Sequence, residues 1–218
     1  MFIELIDALR CPRRHEESWL VLAAARIEAR HVRDGTLGCP VCHAEYPIHD
    51  GIADFRLADV GTHALGDARR DARPNVAERM SAEDLAAMLS LGDALGFAVL
   101  IGDWARLADG LLELGNAPPL LLVDPPEGIV MVPGLSGLLA GPALPLAAGA
   151  ARAVAVDSTD EARLASAANS TRATGRIVAP ARARVPVGVR ELVRDDALWV
   201  GERDAPPTPL VRLHVRRG

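Results

Sequence analysis

Phe97-Ala98-Val99-Leu100-Ile101-Gly102 is a short apolar run that ends in glycine and is followed directly by Asp103. A continuous apolar run of this length is typical of a strand that is buried on both faces of a parallel sheet. Asp103 and the leucines that follow it predict a helix that ends at Gly115, because glycine favours a helix C-terminus. The stretch therefore predicts a strand followed by a helix, which is the repeating unit of an α/β fold.

The alternation of strand and helix patterns continues on both sides of this stretch. Further buried strands are predicted at residues 119–123, 129–132, 152–156 and 177–179. One more helix is predicted to begin at Ser81, and another runs from Ser158 to near Gly175. Two strands close together, at 198–200 and 210–215, predict an antiparallel edge. The predicted fold class is therefore α/β, with a Rossmann-like, mostly parallel sheet and helices on both faces.

Candidate cofactor-binding residues follow from this arrangement, because ligands of such sheets bind at the carboxyl ends of the strands. Those ends carry Gly102, Asp103, Asp124 and Asp157. Two of them have an alternative interpretation: Asp124 as a turn residue before Pro125, and Asp157 as a helix cap. The nucleophile for a covalent mechanism is missing from these patterns, so the catalytic residues stay unknown.

A second pattern lies near the N-terminus, where Cys39-Pro40-Val41-Cys42 forms a C-x2-C knuckle. Two thiolates at this spacing can bind one tetrahedral metal ion, and Cys11 with His15 supplies two further ligands at a usable spacing. The predicted ligands of a zinc ion are therefore Cys11, His15, Cys39 and Cys42. The alternative is a ribbon that kept its shape and lost its metal.

These patterns divide the chain into a zinc-ribbon-like β module at 1–57, a linker at 58–79 and an α/β domain at 80–218. Within the first module, Asp50-Gly51 is a hairpin turn signal between alternating apolar residues. Residues 18–33 fit either a strand pair or a short helix, because a run of alanines leaves the period ambiguous.

Composition restricts the function further. The 218 residues carry a net charge of −5 and contain no lysine, which excludes a Walker-A phosphate loop and lysine-dependent aldol chemistry. Residues 171–218 hold ten arginines against five acids, which fits either an RNA-binding segment or a solvated surface. Three cysteines without a secretory signal predict a cytoplasmic protein. The uncharged stretch 128–151 contains three prolines, so no membrane span is expected.

The first module also resembles a known family. Leu9-Arg10-Cys11-Pro12, Cys39-Pro40-Val41-Cys42 and Tyr46-Pro47-Ile48-His49-Asp50-Gly51-Ile52 are similar to the small zinc-ribbon family whose eukaryotic members activate tRNA, rRNA and release-factor methyltransferases. Arg14 stands where that family has another cysteine. The resemblance implies that the ribbon lends a strand and apolar surface to a protein partner, such as a methyltransferase or a translation-related factor, or docks on its own α/β domain.

The rest of the chain resembles the class I S-adenosylmethionine-dependent methyltransferases. Residues 143–157 are similar to the family's stretch into its fourth strand, and Ala173-Thr174-Gly175-Arg176-Ile177-Val178 to its turn into the fifth. The resemblance implies that Asp124 binds the ribose hydroxyls of S-adenosylmethionine and that Asp157 faces the methyl-transfer centre. The glycine-rich cofactor loop of the family is replaced here by Gly102-Asp103-Trp104.

Three hypotheses follow. The first is a non-catalytic or regulatory relative of these methyltransferases, with a ribbon for docking or for recruiting a partner. The second is an active S-adenosylmethionine-dependent methyltransferase that acts on RNA, protein or a small metabolite. The third is a nucleic-acid-binding module that uses the ribbon and the basic C-terminal segment.

Overall fold

The computed structural model describes residues 1–56, 76–92 and 95–205. Most of the predicted linker and the predicted strand at 210–215 lie outside these ranges. In the described part of the chain, no helix has both the length and the apolar character that a membrane crossing requires.

The described residues form eleven strands, three α-helices and three 3-10 helices. The strands are β1 (Val21–Glu28), β2 (His31–Gly38), β3 (Glu45–His49), β4 (Ile52–Asp54), β5 (Ala98–Ile101), β6 (Leu120–Val123), β7 (Leu135–Leu139), β8 (Ala151–Ala155), β9 (Thr171–Pro180), β10 (Val189–Arg194) and β11 (Leu198–Arg203). The α-helices are α1 (Ala82–Leu89), α2 (Ala108–Glu113) and α3 (Glu161–Ser170). The 3-10 helices cover Ile3–Ala8, Val76–Arg79 and Gly102–Leu107. The chain is therefore a mixed α/β protein.

All eleven strands belong to one sheet, in the order β1-β2-β3-β4-β7-β6-β5-β8-β9-β11-β10. The central pairings, from β4 through β9, are parallel. The strands of the ribbon pair antiparallel at one end, and β11 pairs antiparallel with both β9 and β10 at the other. The sheet order reverses between β5 and β8, and ligands of open α/β sheets bind outside the carboxyl ends of the strands at such a point.

The ribbon joins the central sheet through β4 and β7, which pair in parallel with Ile52 opposite Gly137. A Cβ atom on Gly137 would lie 2.7 Å from Cγ1 of Ile52, so glycine is required for this close approach. The join continues beyond the strand, because the amide of Phe55 donates to the carbonyl of Leu139 at 2.8 Å. The amide of Phe2 also donates to the buried Ser136 hydroxyl at 2.9 Å.

The core consists of two apolar clusters to which the central strands contribute alternately. Val99 and Ile101 belong to the first cluster, whereas Ala98 and Leu100 belong to the second. Since successive side chains of a strand point to opposite faces, the two clusters lie on opposite sides of the sheet. The first cluster contains the ribbon core, Trp199 and residues of α3, and the second contains leucines of α1 and α2.

Several element predictions were wrong in detail. The strand predicted at 129–132 lies at Leu135–Leu139 instead. The helix predicted from Ser158 begins at Glu161 with Asp160 as its N-cap, and it ends at Ser170, where β9 begins. Asp103 lies within a 3-10 turn that precedes α2, and its side chain makes no cap. Sequence patterns also missed β10, and the ambiguous residues 18–33 contain β1 and the start of β2.

Candidate functional site

The four predicted metal ligands converge on one end of the ribbon. Cys39 and Cys42 lie in the tight turn after β2, where the amide of His43 donates to the Cys39 carbonyl at 3.0 Å. Cys11 follows the first 3-10 helix, and its amide donates to the Ser18 carbonyl at 3.1 Å. The potential ligand atoms of Cys11, His15, Cys39 and Cys42 all lie within 4.8 Å of one another.

The distances between these atoms fit a tetrahedral zinc ion. Zinc–sulfur bonds of about 2.3 Å and zinc–nitrogen bonds of about 2.0 Å require about 3.8 Å between two sulfurs and about 3.5 Å between sulfur and nitrogen. The Cys11 and Cys42 sulfurs are 3.7 Å apart. Nε2 of His15 lies 3.1 Å from the Cys11 sulfur and 3.4 Å from that of Cys39. The residues present can therefore hold the metal.

The environment of the thiols favours ionisation at one of them. Burial opposes ionisation of Cys39, but hydrogen bonds from the amides of Cys42 and Val41 and from neighbouring thiols lower its pKa to about 6. At Cys11, burial raises the pKa of the thiol, against hydrogen bonds from Tyr46 and the Arg13 amide. Burial, together with the bond to Cys11, raises the pKa of the Tyr46 hydroxyl. Metal binding would convert these thiols to thiolates.

The orientation of His15 is fixed from its other ring nitrogen. Nδ1 lies 2.5 Å from the carbonyl oxygen of Glu16, so the tautomer that leaves Nε2 free to bind metal is the one in which Nδ1 carries the proton and donates it. A backbone acceptor of this kind is the usual outer partner of a metal-binding histidine. The local chain therefore supports His15 as a ligand although Arg14 occupies the position of the expected second cysteine.

The predicted cofactor residues Gly102, Asp103 and Asp157 lie together at the carboxyl ends of β5 and β8. The amide of Asp103 donates to Oδ2 of Asp157 at 2.8 Å. Gly102 has a φ of +68°, and a Cβ atom there would lie 2.6 Å from the same oxygen. The Asp157 carboxylate thus packs against the turn that follows β5.

Asp124 lies apart from these three residues, at the carboxyl end of β6, with a left-handed φ of +48°. Its Oδ1 accepts a hydrogen bond from the amide of Ala140 at 2.8 Å. Its Oδ2 accepts one from Nη2 of Arg163 at 2.7 Å, and this guanidinium also lies 3.3 Å from the Ala140 carbonyl. Both carboxylate oxygens of Asp124 therefore bond to groups of the protein itself.

Trp104, in the 3-10 turn that follows β5, points into the core. Its side chain is only 2% exposed and belongs to the cluster that contains α1 and α2. The indole Nε1 has no hydrogen-bond partner among the residues that the structure describes. The bulky side chain is thus a packing element of the second cluster.

The sequence patterns did not indicate two residues that contact the candidate sites: Arg163, which bonds to Asp124, and Tyr46, which bonds to Cys11. A cation in the first turn of a helix opposes the helix dipole, so Arg163 at the third position of α3 could have signalled a carboxylate partner. Tyr46 is the only tyrosine of the chain, and its alternation with Ile48 predicted burial but gave no sign of the hydroxyl's partner.

Comparison with known proteins gives little further guidance. No family model matches the chain, and no curated protein matches it. Among solved structures, the crystal structure of the antibiotic-resistance methyltransferase Kmr is similar to 58% of this chain and 94% of its own, with a TM-score of 0.40 and 15% sequence identity. A likeness of this extent identifies neither a family nor an activity.

Proposed function

We propose that this chain is a methyltransferase-related protein that does not transfer methyl groups and that holds a structural zinc ion in its ribbon. The strand order β7-β6-β5-β8-β9 corresponds to the 3-2-1-4-5 order of a Rossmann-like sheet, which supports the relationship. The main support for a non-catalytic role is that the Asp124 carboxylate already accepts hydrogen bonds from the protein itself.

In nucleotide-binding sheets of this type, an acidic residue about 20 positions after the glycine turn accepts hydrogen bonds from the ribose. Asp124 stands 22 positions after Gly102 and fits this description by sequence. Its carboxylate, however, already accepts hydrogen bonds from Arg163 and Ala140. A ribose would have to compete with the guanidinium for this carboxylate, and losing one charged hydrogen bond costs about 2 kcal/mol, or about 30-fold in affinity.

The turn after β5 supports the same conclusion. A cofactor at the strand ends needs backbone amides that are free to approach it. Here the amide of Asp103 donates to Asp157, and that carboxylate fills the space over Gly102. These residues do not fit S-adenosylmethionine, so we propose no chemical step through it.

The ribbon is proposed to act on its own α/β domain. The parallel pairing of β4 with β7 uses the strand that would otherwise be available to another protein. A protein partner, such as the methyltransferase or translation-related factor suggested by the activator resemblance, would therefore have to use a different surface.

Zinc is proposed as a structural ion. Three thiolates and one imidazole complete a four-coordinate site, whereas catalytic zinc keeps one position for water or substrate. Bound at Cys11, His15, Cys39 and Cys42, the ion would cross-link the N-terminal segment to the turn after β2.

Nucleic-acid binding receives less support from the surface charges. Arg176 and Arg190 both lie within ion-pair distance of Glu202, and Arg194 pairs with Glu191. These arginines have acidic partners within the protein, which is the arrangement of a solvated surface.

Calorimetric titration of the full-length, cofactor-stripped protein with S-adenosylmethionine and S-adenosylhomocysteine tests the proposal. We expect no saturable heat at millimolar ligand, with a folded protein verified by circular dichroism. Micromolar binding of either compound, abolished by Asp124→Ala, would overturn the proposal and favour an active methyltransferase.

A further inference from the structure

Tyr46 connects a metal ligand to the core of the ribbon. It is the second residue of β3 and is fully buried. Its hydroxyl oxygen lies 3.1 Å from the sulfur of Cys11. Its ring stacks on Phe55, with 4.5 Å between the ring centroids and 29° between the planes.

The chemistry of the two groups assigns the donor. A phenol has an ordinary pKa of about 10 and keeps its proton at neutral pH. A cysteine that binds metal is a thiolate, which can only accept. The Tyr46 O–H must therefore be the donor and the Cys11 sulfur the acceptor when a metal is bound.

Cys11 needs this donor more than Cys39 does. Cys39 lies in a complete knuckle, in which the backbone of Cys42 and Val41 helps to lower the pKa of its thiol. Cys11 lies in an incomplete knuckle, in which the Arg13 amide is the backbone donor to its sulfur. Three thiolates and one imidazole around a divalent ion leave one net negative charge in a partly buried site, which hydrogen-bond donors stabilise.

We infer that Tyr46 is a positioning residue of the metal centre: its hydroxyl donates to the Cys11 thiolate and supplies the stabilisation that the missing half of the knuckle would otherwise provide. The inference rests on the proposed zinc site and goes beyond it, because it assigns a role in metal affinity to a residue that is not a ligand. The Phe55 ring stacks on the ring that carries this hydroxyl.

The variant Tyr46→Phe in the full chain tests this role, since it removes the hydroxyl and keeps the ring and its stacking. Ile48→Val is the matched control, because Ile48 is equally buried in the same strand and its hydrocarbon side chain cannot donate a hydrogen bond to a sulfur. Zinc affinity is measured by competition with a chromophoric chelator. Cobalt(II) replaces zinc for a second readout, the sulfur-to-metal charge-transfer band.

We expect Tyr46→Phe to weaken zinc binding by about 10- to 100-fold, the usual effect of removing an outer-shell partner. The charge-transfer band of its cobalt form should shift, whereas Ile48→Val should leave both readouts unchanged. Unchanged affinity and spectrum in Tyr46→Phe would overturn the inference, as would equal losses in both variants. Failure of the unmodified protein to bind either metal would instead refute the proposed zinc site.

Discussion

Replacing Arg163 with alanine should measure how strongly the protein holds Asp124. The guanidinium and carboxylate are 2.7 Å apart, and their side chains are 15% and 33% exposed. At an effective dielectric constant of about 20, two charges with centres about 4 Å apart attract by about 4 kcal/mol. Partial solvation and side-chain ordering reduce the net contribution, so we expect Arg163→Ala to destabilise the fold by about 2 kcal/mol.

The assay is thermal unfolding followed by circular dichroism. For a chain of this size a loss of about 2 kcal/mol corresponds to a melting temperature lower by about 4–8 °C. Arg184→Ala is the control. Arg184 forms an ion pair at 3.6 Å with Glu161, which belongs to the same helix as Arg163, and the side chains of Arg184 and Glu161 are largely exposed, at 83% and 74%. That control should change stability by less than about 1 kcal/mol.

A double-mutant cycle with Asp124→Asn separates the pair from other effects of truncation. If the pair accounts for the loss, the second substitution should add less than its own single effect, since the partner is already gone. Equal stability losses in Arg163→Ala and Arg184→Ala would refute the reasoning. Strict additivity in the cycle would do the same.

Two further predictions concern the ribbon. Gly137→Ala should destabilise the protein by about 1–3 kcal/mol, because its methyl group would lie 2.7 Å from Ile52. Gly141→Ala is the control and should not destabilise the protein, since a Cβ atom there has no atom within 4 Å. Equal denaturant midpoints for the two variants would contradict this prediction. Cys39→Ser should abolish the single equivalent of zinc measured by elemental analysis and lower the melting temperature, as chelation should in the unmodified protein. The control Val41→Ala alters an exposed side chain of the same turn and should retain the metal.

The sequence predicted those parts of the fold that depend on local pattern. Continuous apolar runs identified β5, β6 and β8, since strands buried on both faces need no alternation. The spacing of Cys39 and Cys42 within one turn identified the candidate metal centre. Both signals come from residues close together in the chain.

The missed features depend on contacts between distant segments. β7 contains Ser136 and Gly137, which are typical of a loop, yet the serine accepts a hydrogen bond from Phe2 and the glycine makes room for Ile52. β10 is polar because it is the exposed edge of the sheet. The bond between Arg163 and Asp124 spans 39 positions, so no local pattern could indicate it.

Several of these distant contacts form a continuous series from the metal centre to Asp124. Tyr46 bonds to Cys11 at the metal centre and stacks on Phe55, whose amide bonds to the carbonyl of Leu139 at the end of β7. The next residue, Ala140, donates its amide to Asp124. The ribbon therefore helps to position the group that, with Arg163, engages Asp124. The ribbon contacts thus stabilise an arrangement in which both oxygens of the Asp124 carboxylate, the proposed ribose-binding group, are already bonded to the protein.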